Sequence, residues 1–160
     1  MITDRIDSST DRIEKSVVIR APRTHVWHAL TDAKEFGTWF GVALDGSQSF
    51  VPGARIQGQF THAGCEHLIW DATIERMEPE RIFSWRWPLD PIDPSREYAD
   101  IPINLVVFEL EEVAEGTRLT VVESGFDQLP LDGRAPANRK NTEGWGIQTE
   151  AIARHVAGAA

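Results

Sequence analysis

"RIFSWRWP", Arg81–Pro88, places three large rings at every second position. In an extended strand successive side chains point to opposite faces, so Phe83, Trp85 and Trp87 line one side while Ile82, Ser84 and Arg86 line the other. A wall of rings has to be covered, either by a packed core or by a bound molecule. The neighbouring segments say what is available to cover it.

Strands lie on both sides of this stretch. "VPGARIQGQF" alternates Ala54, Ile56, Gly58 and Phe60 against Arg55, Gln57 and Gln59, and "HLIWDATIERM" alternates Leu68, Trp70, Ala72 and Ile74 against Ile69, Asp71, Thr73 and Glu75. Downstream, "INLVVFELEEV" and "TRLTVVESGF" read as a hairpin joined near Gly116. From the end of "RIFSWRWP" to that hairpin, Pro88, Pro91, Pro94 and Pro102 break regular structure and predict a flap or loop.

The two ends of the chain supply helices. "RIEKSVVIRAP" reads as a first strand with Ile13, Val17 and Ile19 on one face, and Pro22 opens a short helix carrying Val26, Trp27 and Leu30. Asp32 and Glu35 stand at capping-box spacing ahead of Phe36, Trp39 and Phe40, which share one side of a second short helix. From about Asn138, Trp145, Gln148, Thr149, Ile152 and Val156 recur at helical spacing, predicting a long amphipathic C-terminal helix. A helix laid on the apolar face of an antiparallel sheet makes a two-layer α+β domain over residues 11–160, with residues 1–10 as a mobile lead-in.

Composition narrows the function. The 160 residues carry a net charge of -9, with 41% hydrophobic and 26% charged residues, which suits one globular domain and repels nucleic acid and anionic membrane surfaces. Cys65 is the one cysteine, so an internal disulfide and an iron–sulfur cluster are both excluded, and a reducing cytoplasm is expected. The polar N-terminus lacks the apolar stretch of a secretory signal, and no window approaches a membrane span.

The strand and helix order, read together with "IEKSVVIRAPRTHVWHALTDAKEFGTWFG", "VPGARIQGQF", "IERMEPERIFSWRW", "GTRLTVVESGF" and "NTEGWGIQTEAIARHV", resembles the helix-grip fold of the START-like superfamily, the SRPBCC or Bet v-like group. The motifs are similar to the branch named for the activator of the heat-shock protein 90 ATPase, over Arg12 to Val156. That resemblance implies a curved antiparallel sheet gripping the long helix, two short helices after the first strand, and a deep cavity that in many relatives holds an apolar ligand. It also implies a chaperone as an alternative partner.

The candidate ligand-binding set is Trp39, Phe40, Trp70, Phe83, Trp85, Trp87 and Trp145, with Arg86, Glu123 and Gln148 as polar anchors. Rings with a few polar tips are what small-molecule sites use. The same rings would also stabilise a plain core, at about 1.5–3 kcal/mol each, but six tryptophans exceed what filling alone requires, since leucine packs without an N–H to satisfy. Glu123 shares a face with Leu119 and Val121; an inward carboxylate there is a hydrogen-bonding partner for a ligand or the acid/base of a cyclase or dehydratase. Its plainer readings are an ion pair with Arg86 or exposure at the strand end, and Gln148 and Thr149 also suit a helix border.

Other chemistry finds little support. "HAGCEH" offers His62, Cys65 and His67, but at no standard zinc spacing, and His25 and His28 suit solvent placement. "ESGF" lacks the second glycine of a nucleophile elbow, and "GWG" has no lysine at phosphate-loop spacing. The expectation is therefore a carrier or sensor for a small apolar or aromatic molecule, without metal or cofactor, with a homodimer left open.

Overall fold

Strand β1 (Arg12–Ile19) buries Ile13 and Ile19 on one face, then turns at Ala21–Pro22 into helix α1 (Arg23–Thr31), whose buried side is Val26, Ala29 and Leu30. This computed structural model describes residues 11–44, 47–97 and 101–158, so the expectation for residues 1–10 lies outside them. Helix α2 (Ala33–Phe40) starts where expected: the Asp32 carboxylate accepts from the Glu35 N–H at 3.0 Å. The helix stops at Gly41, whose φ of 90° closes the last turn in the left-handed region. Trp39 fastens the two short helices together by donating its indole N–H to the Ala29 carbonyl at 2.7 Å.

The remaining strands are β2 (Val42–Ala43), β3 (Arg55–Phe60), β4 (Ile69–Glu78), β5 (Ile82–Pro88), β6 (Ile103–Val113) and β7 (Gly116–Ser124). They form one curved, fully antiparallel sheet in the order β1-β7-β6-β5-β4-β3-β2, so the first strand closes against the last. Register carries the apolar pattern straight across: Ile74, Trp85, Val106, Glu123 and Ile13 stand in one row over five strands, and all five are buried. Glu123 is the only polar member of that row. A bulge between Ile74 and Arg76 shifts the β4–β5 register, which brings Met77 opposite Phe83. The β6–β7 turn needs glycine at 116, where φ is 146° and a Cβ would sit 2.2 Å from the Ile19 carbonyl oxygen.

Helix α3 (Leu131–Gly158) crosses the concave face and buries Trp145, Thr149, Ile152 and Val156, one stripe at helical spacing. It begins seven residues before the expected start near Asn138. Pro136 and Gly133 read as helix breakers, yet a proline in the second turn forfeits a single backbone bond, and the helix runs through it. No described helix is long and apolar enough to cross a membrane.

The expected flap is ordered where described. Ile92 exchanges backbone bonds with Ile69 at the edge of β4, and the Leu89 N–H donates to the Pro102 carbonyl at 2.9 Å. Residues 88–92 thereby fold back beside the end of β4 nearest α3.

Candidate functional site

The site is built on the row that contains Glu123. Its side chain is fully buried between β7 and α3, and its carboxylate accepts four hydrogen bonds, all from neutral groups. Oε1 takes the Trp145 indole N–H at 2.9 Å and the Asn141 amide at 3.0 Å, from successive turns of α3. Oε2 takes the Trp87 indole N–H at 2.8 Å and the Asn104 amide at 3.2 Å, from neighbouring positions on β5 and β6. Asn104 is itself oriented by Gln128, whose amide donates to its Oδ1 at 3.3 Å. An indole is a donor only, and each amide turns its nitrogen inward, so every group around Glu123 suits an acceptor.

Beside this cluster opens a cleft of about 300 Å³ between α3, the ends of β3–β5 and the flap at 88–91. Five phenyl and indole rings face it, Phe40, Phe60, Trp70, Trp87 and Trp145, with the His62 imidazole beside them. Three of them pack as a triangle, with Trp87–Trp145 centroids 5.8 Å apart, Phe40–Trp145 6.3 Å and Phe40–Trp87 6.4 Å. The rim is polar. Lys140 on α3 reaches Asp90 on the flap at 3.0 Å, and Arg55 holds Asp71 through two nitrogens at 2.6 and 2.9 Å. Hydrogen bonding and charge attraction from Asp71 push the Arg55 guanidinium further up from its ordinary range. Gln148 closes one side by donating to the Phe40 carbonyl at 2.9 Å, tying α3 to the end of α2.

The expected site residues fall into four places. Phe40, Trp70, Trp87, Trp145 and Gln148 line the cleft. Trp39, Phe83 and Trp85 do not; they belong to the packed interior, where Phe36 stacks on Phe40 at 4.7 Å and Trp85 meets Trp70 edge-to-face at 5.4 Å. Rings fill most of the space under the helix, and the opening survives at one end.

Arg86 and Glu123 stand away from the cleft surface. The strand alternation that points Trp85 and Trp87 inward sends Arg86 to the outer face, where it pairs with Glu75, so it neither anchors a ligand in the cleft nor meets Glu123. Glu123 lies inward but behind the wall, enclosed by Trp87, Asn104, Asn141 and Trp145, and it does not line the cleft.

Two partners of Glu123, Asn104 and Asn141, were not among the expected residues. Asn141 had a faint signal, standing one turn before Trp145 on the same side of the helix. His28 is exposed, as expected. It contacts Glu35, whose other oxygen meets His155 at 3.1 Å, so α1, α2 and α3 join there. Among the described residues, His28, Asp32 and Glu35 form the one group with ligand atoms within 4.8 Å of one another; the Asp32 carboxylate already caps α2 and Glu35 is held by the two histidines. His62, Cys65 and His67 form no such group.

The family model for activator of Hsp90 ATPase homolog 1-like proteins matches residues 20–157. The chain belongs to this family. The AHSA1-like domain is similar to a crystal structure of a Mesorhizobium loti protein, at 21% identity and TM-score 0.70, over 93% of this chain and 98% of that one. An Arthrobacter aurescens protein in solution has TM-score 0.76 at 13% identity, over 93% and 87%. Both likenesses concern the fold. DynU16, a protein of the dynemicin biosynthetic locus, is 26% identical with TM-score 0.69 over 91% of this chain, which spans 47% of DynU16. No curated protein matches this AHSA1-like chain in sequence.

Proposed function

We propose that this protein is a non-catalytic carrier or sensor that holds a small apolar or aromatic molecule in the cleft between α3, the ends of β3–β5 and the flap. The observation that carries the reading is an opening of about 300 Å³ faced by five phenyl and indole rings with a polar rim. That volume sits at the small end of ligand sites, about twice a cavity that takes up benzene, and suits a one- or two-ring molecule. Burial against Phe40, Trp87 and Trp145 would supply the binding energy, and Gln148 or the Asp90–Lys140 pair the orientation. The place of DynU16 in a biosynthetic locus accords with a small-molecule role. A cytoplasmic location belongs to the same proposal.

The acid–base alternative is the weaker one, because Glu123 faces four donors instead of the cleft. Titration with phenols, polyketide-like aromatics and lipids, followed by tryptophan fluorescence and melting temperature, tests the carrier reading. Saturable quenching with a rise in melting temperature is expected. No response to any class would sink it.

Family membership supports one further reading, contact with a chaperone of the Hsp90 class. Capture of that chaperone from solution by the immobilised protein, unaffected by a bound aromatic ligand, is the outcome that would favour it.

A further inference from the structure

Resting on the reading that the cleft holds a small molecule, we propose that its ligand is an organic cation: a protonated arylalkylamine or a quaternary ammonium carrying one or two rings.

The inference starts from charge. Glu123 is buried with no lysine, arginine or histidine among the described residues in ion-pair contact, and its four partners are neutral. An acceptor ringed only by donors is the arrangement of an ionised carboxylate, and a buried anion without a counter-cation is expensive to keep. Three of the four donors, Trp87, Asn141 and Trp145, are also cleft wall, so the carboxylate lies one side-chain layer behind the surface a ligand would touch.

The other acids at the cleft are already neutralised. Asp71 is matched by Arg55 and Asp90 by Lys140, which leaves Glu123, with histidine counted neutral, as the uncompensated charge beside the opening. The chain as a whole adds a net charge of -9, which steers cations toward it.

The rings transmit this preference. A cation is attracted to the faces of Trp, Tyr and Phe, most strongly to Trp and most strongly where water is excluded. Trp87 and Trp145 each donate an N–H to the carboxylate, and donation to an anion polarises the indole so that its face becomes more negative. A neutral aromatic would gain ring burial alone, and an anion would meet repulsion from Glu123.

Three molecules of nearly equal shape separate these cases: benzyltrimethylammonium, its uncharged isostere neopentylbenzene, and the anion phenylmethanesulfonate. Affinities for the wild-type protein would be measured by tryptophan fluorescence and calorimetry. The cation is expected to bind about tenfold tighter than the neutral isostere, with the sulfonate weakest. Neutral binding equal to or tighter than cation binding overturns the charge inference and leaves the carrier reading standing; binding of none of the three also overturns the charge inference, and the carrier reading is then decided by the phenols, polyketide-like aromatics and lipids. Glu123→Gln, checked for folding by circular dichroism, is expected to reduce the cation's advantage to about twofold or less, and an undiminished advantage in a folded variant also overturns the inference. Should that variant fail to fold, the wild-type ranking decides alone.

Discussion

The indole N–H of Trp145 meets Oε1 of Glu123 at 2.9 Å, a hydrogen bond that joins the C-terminal helix to strand β7 within the ring-rich core. It holds the two layers at a set separation, because Asn141 reaches the same oxygen and Trp87 and Asn104 reach the other. The cleft wall is therefore braced from behind by polar bonds.

Removing the carboxylate strands four donors, buried at Asn104 and Trp145 and half-buried at Trp87 and Asn141. Glu123→Leu is expected to destabilise the fold by about 3 kcal/mol or more, since each unsatisfied buried group costs about 1–3 kcal/mol. Trp145→Phe removes one donor while Asn141 still serves Oε1, so a smaller loss of about 1–2 kcal/mol is expected. Urea unfolding measures both. A Glu123→Leu protein as stable as wild type would show that the carboxylate does not brace the layers.

Asn104 depends in turn on a glycine. Gly125 has φ of 116°, and a Cβ there would stand 2.5 Å from Asn104 Oδ1 and 2.7 Å from Gln128 Nε2. Gly125→Ala is thus expected to strain the backbone and displace Asn104 from Oε2, costing about 1–3 kcal/mol and shifting the Trp87 indole N–H resonance. An unchanged resonance together with unchanged stability would refute the link between this turn and the cluster.

Much of this was legible in the residues. The alternation in β5 and β4 and the Asp32 cap rest on local rules, and they place Trp70, Trp85, Trp87 and α2 as found. Parity within "RIFSWRWP" already set Arg86 on the face opposite Trp85 and Trp87, so its pairing with an inward Glu123 was excluded by the same rule that identified the wall. What stayed hidden depends on segments far apart in the chain. Asn104 and Asn141 meet Glu123 only through strand register and helix placement, and the start of α3 before Pro136 follows from tertiary packing that outweighs one lost backbone bond. How much space the rings leave is likewise a result of packing, which periodicity does not encode.

The flap gives a pH prediction. Asp93 accepts from the Ser95 hydroxyl at 2.6 Å and the Ser95 N–H at 2.9 Å, and these bonds hold its carboxyl below the ordinary carboxylate range. A depressed folded-state pKa adds stability that is present above the unfolded pKa and lost as pH falls through the folded one. Ser95→Ala is expected to return the Asp93 midpoint toward the ordinary range in an NMR titration, and to make the 93–96 turn open at higher pH as acid is added. A midpoint that does not move would remove Ser95 as the cause.

Gly144 offers the sharpest test of the cleft. It lies in the cleft wall within α3, and a Cβ added there meets nothing within 4 Å. In a helix interior glycine is worse than alanine by about 0.5–1 kcal/mol, so Gly144→Ala is expected to raise the melting temperature with no packing penalty. Gly144→Leu keeps most of that helical gain while projecting a branched chain into the opening. The two substitutions should then separate stability from binding: alanine stabilises and lets an aromatic ligand in, whereas leucine folds normally and abolishes the fluorescence response. A leucine variant that still binds with wild-type affinity would place the ligand elsewhere on the protein, and with it the role assigned to Trp87 and Trp145.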